Sequence, residues 1–212
     1  VLVPFIGSVL LPLIDKKLGK STAKISVLLL MYPLVITTFL LLYYQNGIII
    51  DPIYFSDPRL GSFSMLLDPL SMPLAFSIAL VPAFVAIYSI PYMEHRFKEL
   101  EHEGGKGSWG LYYMLFIMFA SAMLGTTLST NTIEFYIFLE LTLIPSFLLI
   151  AFYGYGDRIR IALMYLIWTH VGALLFLIGA MTLGYNVGTF DYFNPATGEA
   201  LKGLGERLPE AF

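Results

Sequence analysis

Long apolar runs constrain this chain more than any single motif in it. Residues 25–45, 69–90, 111–129, 131–153 and 160–185 hold almost no charge. Each approaches or exceeds the roughly 20 residues that a helix needs to cross a bilayer. A further run, 1–14, is too short for a full span and lacks the basic leader and small-residue cleavage site of a signal peptide. It reads as the end of a first helix. Charged residues make up 13% of the chain, against about 25% in a soluble domain, and the deficit falls inside the runs. The fold class is therefore all-α, a multi-pass transmembrane helical bundle of about six spans. The reading is of one membrane domain over 1–212, with 186–212 as an outer loop or tail. The chain begins at Val1 and stops at Phe212 in a polar stretch, and both ends read as fragment ends.

Most connections are short, but two are not. Residues 46–68 carry Asp51-Pro52, Asp57-Pro58, Gly61 and Asp68-Pro69, which are turn and breaker signals. Within them, Ile48-Ile49-Ile50 suits a short strand or an interfacial anchor. Residues 91–110 open on Pro91, carry a run of charges from Glu94 to Glu103 and end in Gly104, Gly105 and Gly107. They read as a solvated loop with at most one helical turn.

Lys and Arg divide unevenly between the two sides. Lys16, Lys17, Lys20, Lys24, Arg96, Lys98, Lys106, Arg158 and Arg160 fall in alternate connections; Arg59, Lys202 and Arg207 fall in the others. Positive residues stay on the cytoplasmic side. The expected topology in the cell (inner) membrane therefore has the N-terminus outside and loops 15–24, 91–110 and 154–160 inside. Tyr43, Tyr44, Tyr88, Tyr92, Trp109, Tyr153, Tyr155 and Tyr185 lie near span ends, where an aromatic belt would place them.

One residue breaks the apolar pattern of the run Asn131 to Gly154: Glu140, near its middle. A carboxylate near mid-membrane costs at least about 2.5–3.5 kcal/mol, and residues kept at that cost mark proton relays or ion coupling. Pro145 follows five positions later and has no N–H for the Leu141 carbonyl. A kink and an unpaired acceptor beside the carboxylate would suit a hydrated pocket; an ordinary packing kink is the alternative. His170 lies near the centre of the last span and has a side chain suited to proton exchange near neutral pH. Counted from the inner loop, it differs from Glu140 in depth by about 6 Å, a gap that one water would bridge if the helices are neighbours.

Other residues weigh less. Glu134 reads as a solvated residue at the outer end of its helix. Ser121, Thr126, Thr127, Thr142 and Thr169 could line a wet path, although such hydroxyls usually bond back to their own helix. Arg158 and Arg160 read as the positive-inside signal. His95 and His102 are a weak metal motif. Cysteine is absent, so no thiolate site for zinc, an iron–sulfur cluster or a disulfide exists in the chain. There is no nucleotide-binding loop and no nucleophile elbow. A net charge of −3 with no basic stripe argues against a nucleic-acid partner.

Leu139-Glu140-Leu141, Ile144-Pro145, Leu149-Ile150, Gly154, Arg160, Ala162 and Tyr165 together resemble the fifth and sixth helices of antiporter-like subunits. Such subunits occur in respiratory complex I (the NADH–quinone oxidoreductase subunit M type), in Mrp sodium/proton antiporters (the D type) and in membrane-bound hydrogenases. Tyr88-Ser89-Ile90, Tyr92-Met93 and Thr189-Phe190-Asp191-Tyr192 fit the same pattern.

The resemblance implies that Glu140 helps to move protons and that its lysine partner lies on a seventh helix beyond this sequence. It implies the first part of an inverted-repeat fold and a role in a redox-driven, proton-translocating complex. The partners would be other membrane subunits and a peripheral redox arm, with iron–sulfur clusters, flavin or nickel–iron centres in those subunits and no cofactor in this chain. An Mrp-type sodium/proton antiporter subunit is the alternative, and a structural membrane spacer without transport is a third reading.

Overall fold

The computed structural model describes residues 1–44, 47–57 and 59–192, the Val187 side chain excepted. Six helices run through them: α1 (Leu2–Leu18), α2 (Ser21–Tyr43), α3 (Ser71–His102), α4 (Trp109–Leu128), α5 (Thr132–Tyr153) and α6 (Arg158–Val187). From α2 onwards each helix is long and apolar enough to cross a membrane. α1 packs on α2 and α4, α2 on α3, α4 on α5, and α5 on α6.

Lipid removes the hydrophobic drive for helices to associate, so close packing must hold them, and small residues permit it. Ala23, Ala83, Ala86 and Ala120 are buried at the centre of the main core, around Leu11, Leu30, Tyr113 and Ile117. A Cβ at Gly110 would stand 2.6 Å from the Leu11 carbonyl oxygen, so glycine there lets α4 touch the backbone of α1. Gly125 is covered by the Phe138 ring in the same way, which seats α5 on α4.

The connection after α2 forms two nested antiparallel pairs. β1 (Ile49–Ile50) pairs with β4 (Leu66–Leu67), and β2 (Phe55–Asp57) pairs with β3 (Gly61–Phe63). Of the two readings of Ile48-Ile49-Ile50, the strand is the one formed.

The charged stretch after Pro91 is not a loop. α3 continues through Pro91 to His102. A proline inside a helix removes one hydrogen bond and strains one turn, and the polar turns beyond it are supported by their own side chains. His95 Nε2 lies 3.3 Å from Glu99 Oε1 and Arg96 Nη1 lies 3.1 Å from Glu99 Oε2.

Arg96, read from sequence only as a topology signal, is almost fully buried. Its Nε donates to the Tyr153 carbonyl at 3.2 Å and its Nη2 to the Gly154 carbonyl at 2.6 Å. Its Nη1 reaches Glu103 at 3.0 Å, and the guanidinium stacks 4.1 Å from the centre of the Tyr155 ring. Glu103 also accepts from Arg158 at 3.2 Å. The last carbonyls of a helix have no intrahelical donors, so this one side chain caps α5 and ties it to α3. Tyr153 belongs to a buried cluster with Phe97, Met93 and Leu100. It is a core residue and not part of a lipid-facing belt.

The connections 15–24, 91–110 and 154–160 thus gather at one end of the bundle, where Lys20 also meets Glu94 at 2.6 Å and Ser108 meets Asp15 at 2.9 Å. Replacing Arg96 by Met should lower stability by about 3 kcal/mol, because it leaves the Tyr153 and Gly154 carbonyls without their donor and removes the charge that ties α5 to α3. Thermal unfolding in mild detergent measures this; an unchanged midpoint would show that the clamp contributes nothing.

Candidate functional site

α5 starts from a capped end. Asn131 precedes it, and its Oδ1 accepts the Ile133 and Glu134 amides at 2.7 and 3.4 Å. From that fixed start, Glu140 arrives midway along α5 on the side that meets α6. There Glu140 Oε2 lies 3.2 Å from His170 Nδ1. The two residues singled out in the sequence are therefore in direct contact, with no water between them. α6 begins at Arg158, two residues earlier than the sequence indicates, and the remaining difference in depth shrinks to about 3 Å.

The Glu140 side chain is 23% exposed and that of His170 is 48% exposed. Glu140 Oε1 is buried without a hydrogen bond of good geometry, while the Tyr136 hydroxyl stands beside the carboxylate one turn earlier. An unpaired buried acceptor costs about 1–3 kcal/mol. Pro145 is fully buried on the same helix.

Toward the Gly154 end, Ser146 Oγ and the Tyr165 hydroxyl are 2.9 Å apart. Ser146 Oγ also reaches the Thr142 and Leu143 carbonyls at 2.8 and 2.9 Å. Thr142 bonds back to the Leu139 carbonyl and Thr169 to the Tyr165 carbonyl, at 2.6 and 2.7 Å. Thr126 and Thr127 likewise bond to their own helix, whereas the Ser121 hydroxyl is buried without a partner. Arg158 takes part in the ion-pair cluster around Glu103, and His95 pairs with Glu99.

Glu134 is a correction. It is 4% exposed and not a solvated end residue. Its Oε2 accepts the Thr130 amide at 3.1 Å, a variant of the capping box in which the third helical residue reaches back past the cap. The Thr130 hydroxyl contacts Ser64 Oγ at 3.0 Å, and Asn131 Nδ2 donates to the Leu60 carbonyl and to Asp191 Oδ1 at 2.8 and 2.7 Å. Asp191 Oδ1 also accepts the Ser62 amide at 2.8 Å. The β2–β3 hairpin, the α4–α5 turn and the segment after α6 are clasped together by these groups. The Asn-x-x-Glu spacing at Asn131 was the available signal for the cap; nothing local signals the hairpin that buries it. Residues 193–212, read as part of the outer tail, lie outside the described residues.

Two families match this chain. "NADH:quinone oxidoreductase/Mrp antiporter, TM" covers residues 129–201, and "NADH-Ubiquinone oxidoreductase (complex I), chain 5 N-terminus" covers residues 61–99. NAD(P)H-quinone oxidoreductase chain 4 of the Chaetosphaeridium globosum chloroplast is 25% identical over 90% of this chain and 37% of its own length. One Na(+)/H(+) antiporter subunit of Alkalihalophilus pseudofirmus is 30% identical over 89% of this chain and 23% of its own. A chain of respiratory complex I from Thermus thermophilus with bound NADH superposes with a TM-score of 0.66 at 24% identity, over 90% of this chain and 37% of that one. The chain therefore spans well under half the length of the proteins it matches.

The infrared carboxyl or carboxylate band that disappears in Glu140→Gln should shift in His170→Leu, because the side chain loses its neighbour at 3.2 Å. An unshifted band would mean that the contact is not made in the membrane.

Proposed function

We propose that this chain, which belongs to the family of antiporter-like membrane subunits of complex I and Mrp antiporters, carries protons through the membrane part of a redox-driven multisubunit complex. The observation that carries this reading is the Glu140–His170 contact midway along two spanning helices. A carboxyl and an imidazole at hydrogen-bond distance can exchange a proton without moving a helix. Surroundings of low polarity favour neutral forms, and a nearby ammonium favours a carboxylate. A cation approaching and leaving the pair, from a later helix or a neighbouring subunit, would load and unload its proton. Pro145 lies inside an unbroken α5 and supports the site by leaving the Leu141 carbonyl without its usual donor.

Under this reading the chain works in a cell (inner) membrane. Its N-terminus and outer clasp lie outside, and the arginine-clamped end, with loops 15–24, 91–110 and 154–160, faces the cytoplasm. Electron-transfer groups (iron–sulfur clusters, flavin or nickel–iron centres) belong to partner subunits, since a chain without cysteine lacks thiolate ligands for such clusters. Oxidoreductase catalysis then belongs to the complex and not to this chain alone.

The similarity to a sodium/proton antiporter subunit favours a second reading, exchange of sodium for protons without a redox arm. Proton movement in sealed vesicles distinguishes the two: substrate oxidation drives it in the first, and an imposed sodium gradient drives it in the second.

Glu140→Gln should leave assembly intact and abolish most proton translocation. Wild-type translocation by that variant would remove Glu140 from the mechanism.

A further inference from the structure

Among the described residues, two side-chain contacts between polar groups cross the interface of α5 and α6. One is Glu140–His170 at 3.2 Å, and the other is Ser146–Tyr165 at 2.9 Å. The remaining hydroxyls here, Thr142 and Thr169, bond back to their own helices. Measured from Gly154, Ser146 is about 12 Å deep and Glu140 about 21 Å; measured from Arg158, Tyr165 is about 10 Å deep and His170 about 18 Å. The hydroxyl pair therefore stands roughly halfway between the clamped end of the bundle and the carboxylate. Both of its members are half-buried.

The remaining gap of about 9 Å on α5 equals roughly three hydrogen-bond lengths of about 2.8 Å. Inside that gap lies the Leu141 carbonyl, which Pro145 cannot pair. The hydroxyl contacts admit an orientation that suits proton transfer. Ser146 gives its proton to a main-chain carbonyl, Thr142 or Leu143. In that orientation Tyr165 donates to Ser146 Oγ, which leaves lone pairs on the tyrosine oxygen free to accept from the Gly154 side.

Resting on the reading of Glu140 and His170 as proton carriers, we propose that the Ser146–Tyr165 pair passes protons between the Gly154 end of the bundle and that site. A proton arriving from water forms a new O–H bond at Tyr165 while the hydroxyl's own proton moves to Ser146 Oγ. The Ser146 hydroxyl turns off its carbonyl, and its original proton leaves to water on the Glu140 side. Both residues end neutral, and rotation of the two hydroxyls resets them. Tyrosine and serine are suited to this because each both donates and accepts.

The test uses the assembled complex in sealed vesicles, with translocation followed in light and heavy water. Tyr165→Phe keeps the ring and removes the hydroxyl. It should slow translocation about tenfold, equivalent to a barrier increase of about 1.4 kcal/mol, and raise the solvent isotope effect, because proton delivery becomes limiting. Ser146→Ala should do the same and Ser146→Thr should restore the rate, which keeps the test open if the tyrosine variant fails to assemble. Loss of packing alone would slow transport without changing the isotope effect, and that result overturns the proposal. So do wild-type rates in both hydroxyl variants beside an inactive Glu140→Gln, a result that leaves the role of Glu140 standing. Wild-type rates in Glu140→Gln overturn both.

Discussion

A polar group in hydrocarbon must find its partner within the protein, because no water is there to supply one. The described structure satisfies that constraint in three ways. Hydroxyls inside the spans bond back to their own helix, as Thr37, Thr126, Thr127 and Thr169 do. Helix ends are capped by side chains, α5 by Arg96 of α3 at one end and by its own N-cap residue Asn131 at the other. Polar side chains also meet across helix interfaces, Ser89 with Tyr113 between α3 and α4 and two pairs between α5 and α6. Against that background Glu140 stands out as a mid-span carboxylate with one oxygen on a histidine and the other without a well-formed hydrogen bond.

The two ends of α5 are held by different chemistry. At the Gly154 end a buried guanidinium gathers two main-chain carbonyls and two carboxylates. At the Asn131 end the clasp consists of amides, hydroxyls and the Glu134 and Asp191 carboxylates, and the asparagine uses both donors and its acceptor. A helix pinned at both ends can keep the Glu140–His170 geometry while charge changes around it. That is what preorganisation requires of a group meant to respond to a charge and not to a movement.

The spans were legible because a bilayer demands length and apolarity, and both are visible residue by residue. The helix beyond Pro91 was not, because proline signals a helix end in sequence while its effect here is local and the following turns supply their own ion pairs. Glu134 and Arg96 were misjudged for a common reason. The hairpin around Ser64 that covers Glu134 and the carbonyls of Tyr153 and Gly154 that bind Arg96 lie roughly sixty residues away along the chain. No local pattern encodes such a partner. Glu140 and His170 were legible as anomalies in apolar runs. Their direct contact was not, because it depends on α6 starting at Arg158 and so raising His170 by about half a turn. The Ser146–Tyr165 link was hidden by a rule that is right for most membrane hydroxyls, including its own neighbours Thr142 and Thr169.

Direct contact changes what the proposed site is. Glu140 and His170 stand 3.2 Å apart, so a proton carried by either one enters the charge of a single site. With one proton between them the pair is neutral overall, whether that proton sits on oxygen or on nitrogen. Moving it across the contact creates or removes a dipole and leaves the net charge unchanged. A second proton makes the pair cationic, and that is the step a neighbouring ammonium opposes, since like charges disfavour each other at short range. A carboxylate alone would be drawn to such a cation and would hold it. A carboxylate already paired with an imidazolium is held less strongly by the cation, and the imidazolium answers its arrival by giving up a proton. The histidine thus weakens the attraction without removing the response, a property suited to a site that must be reset on every cycle.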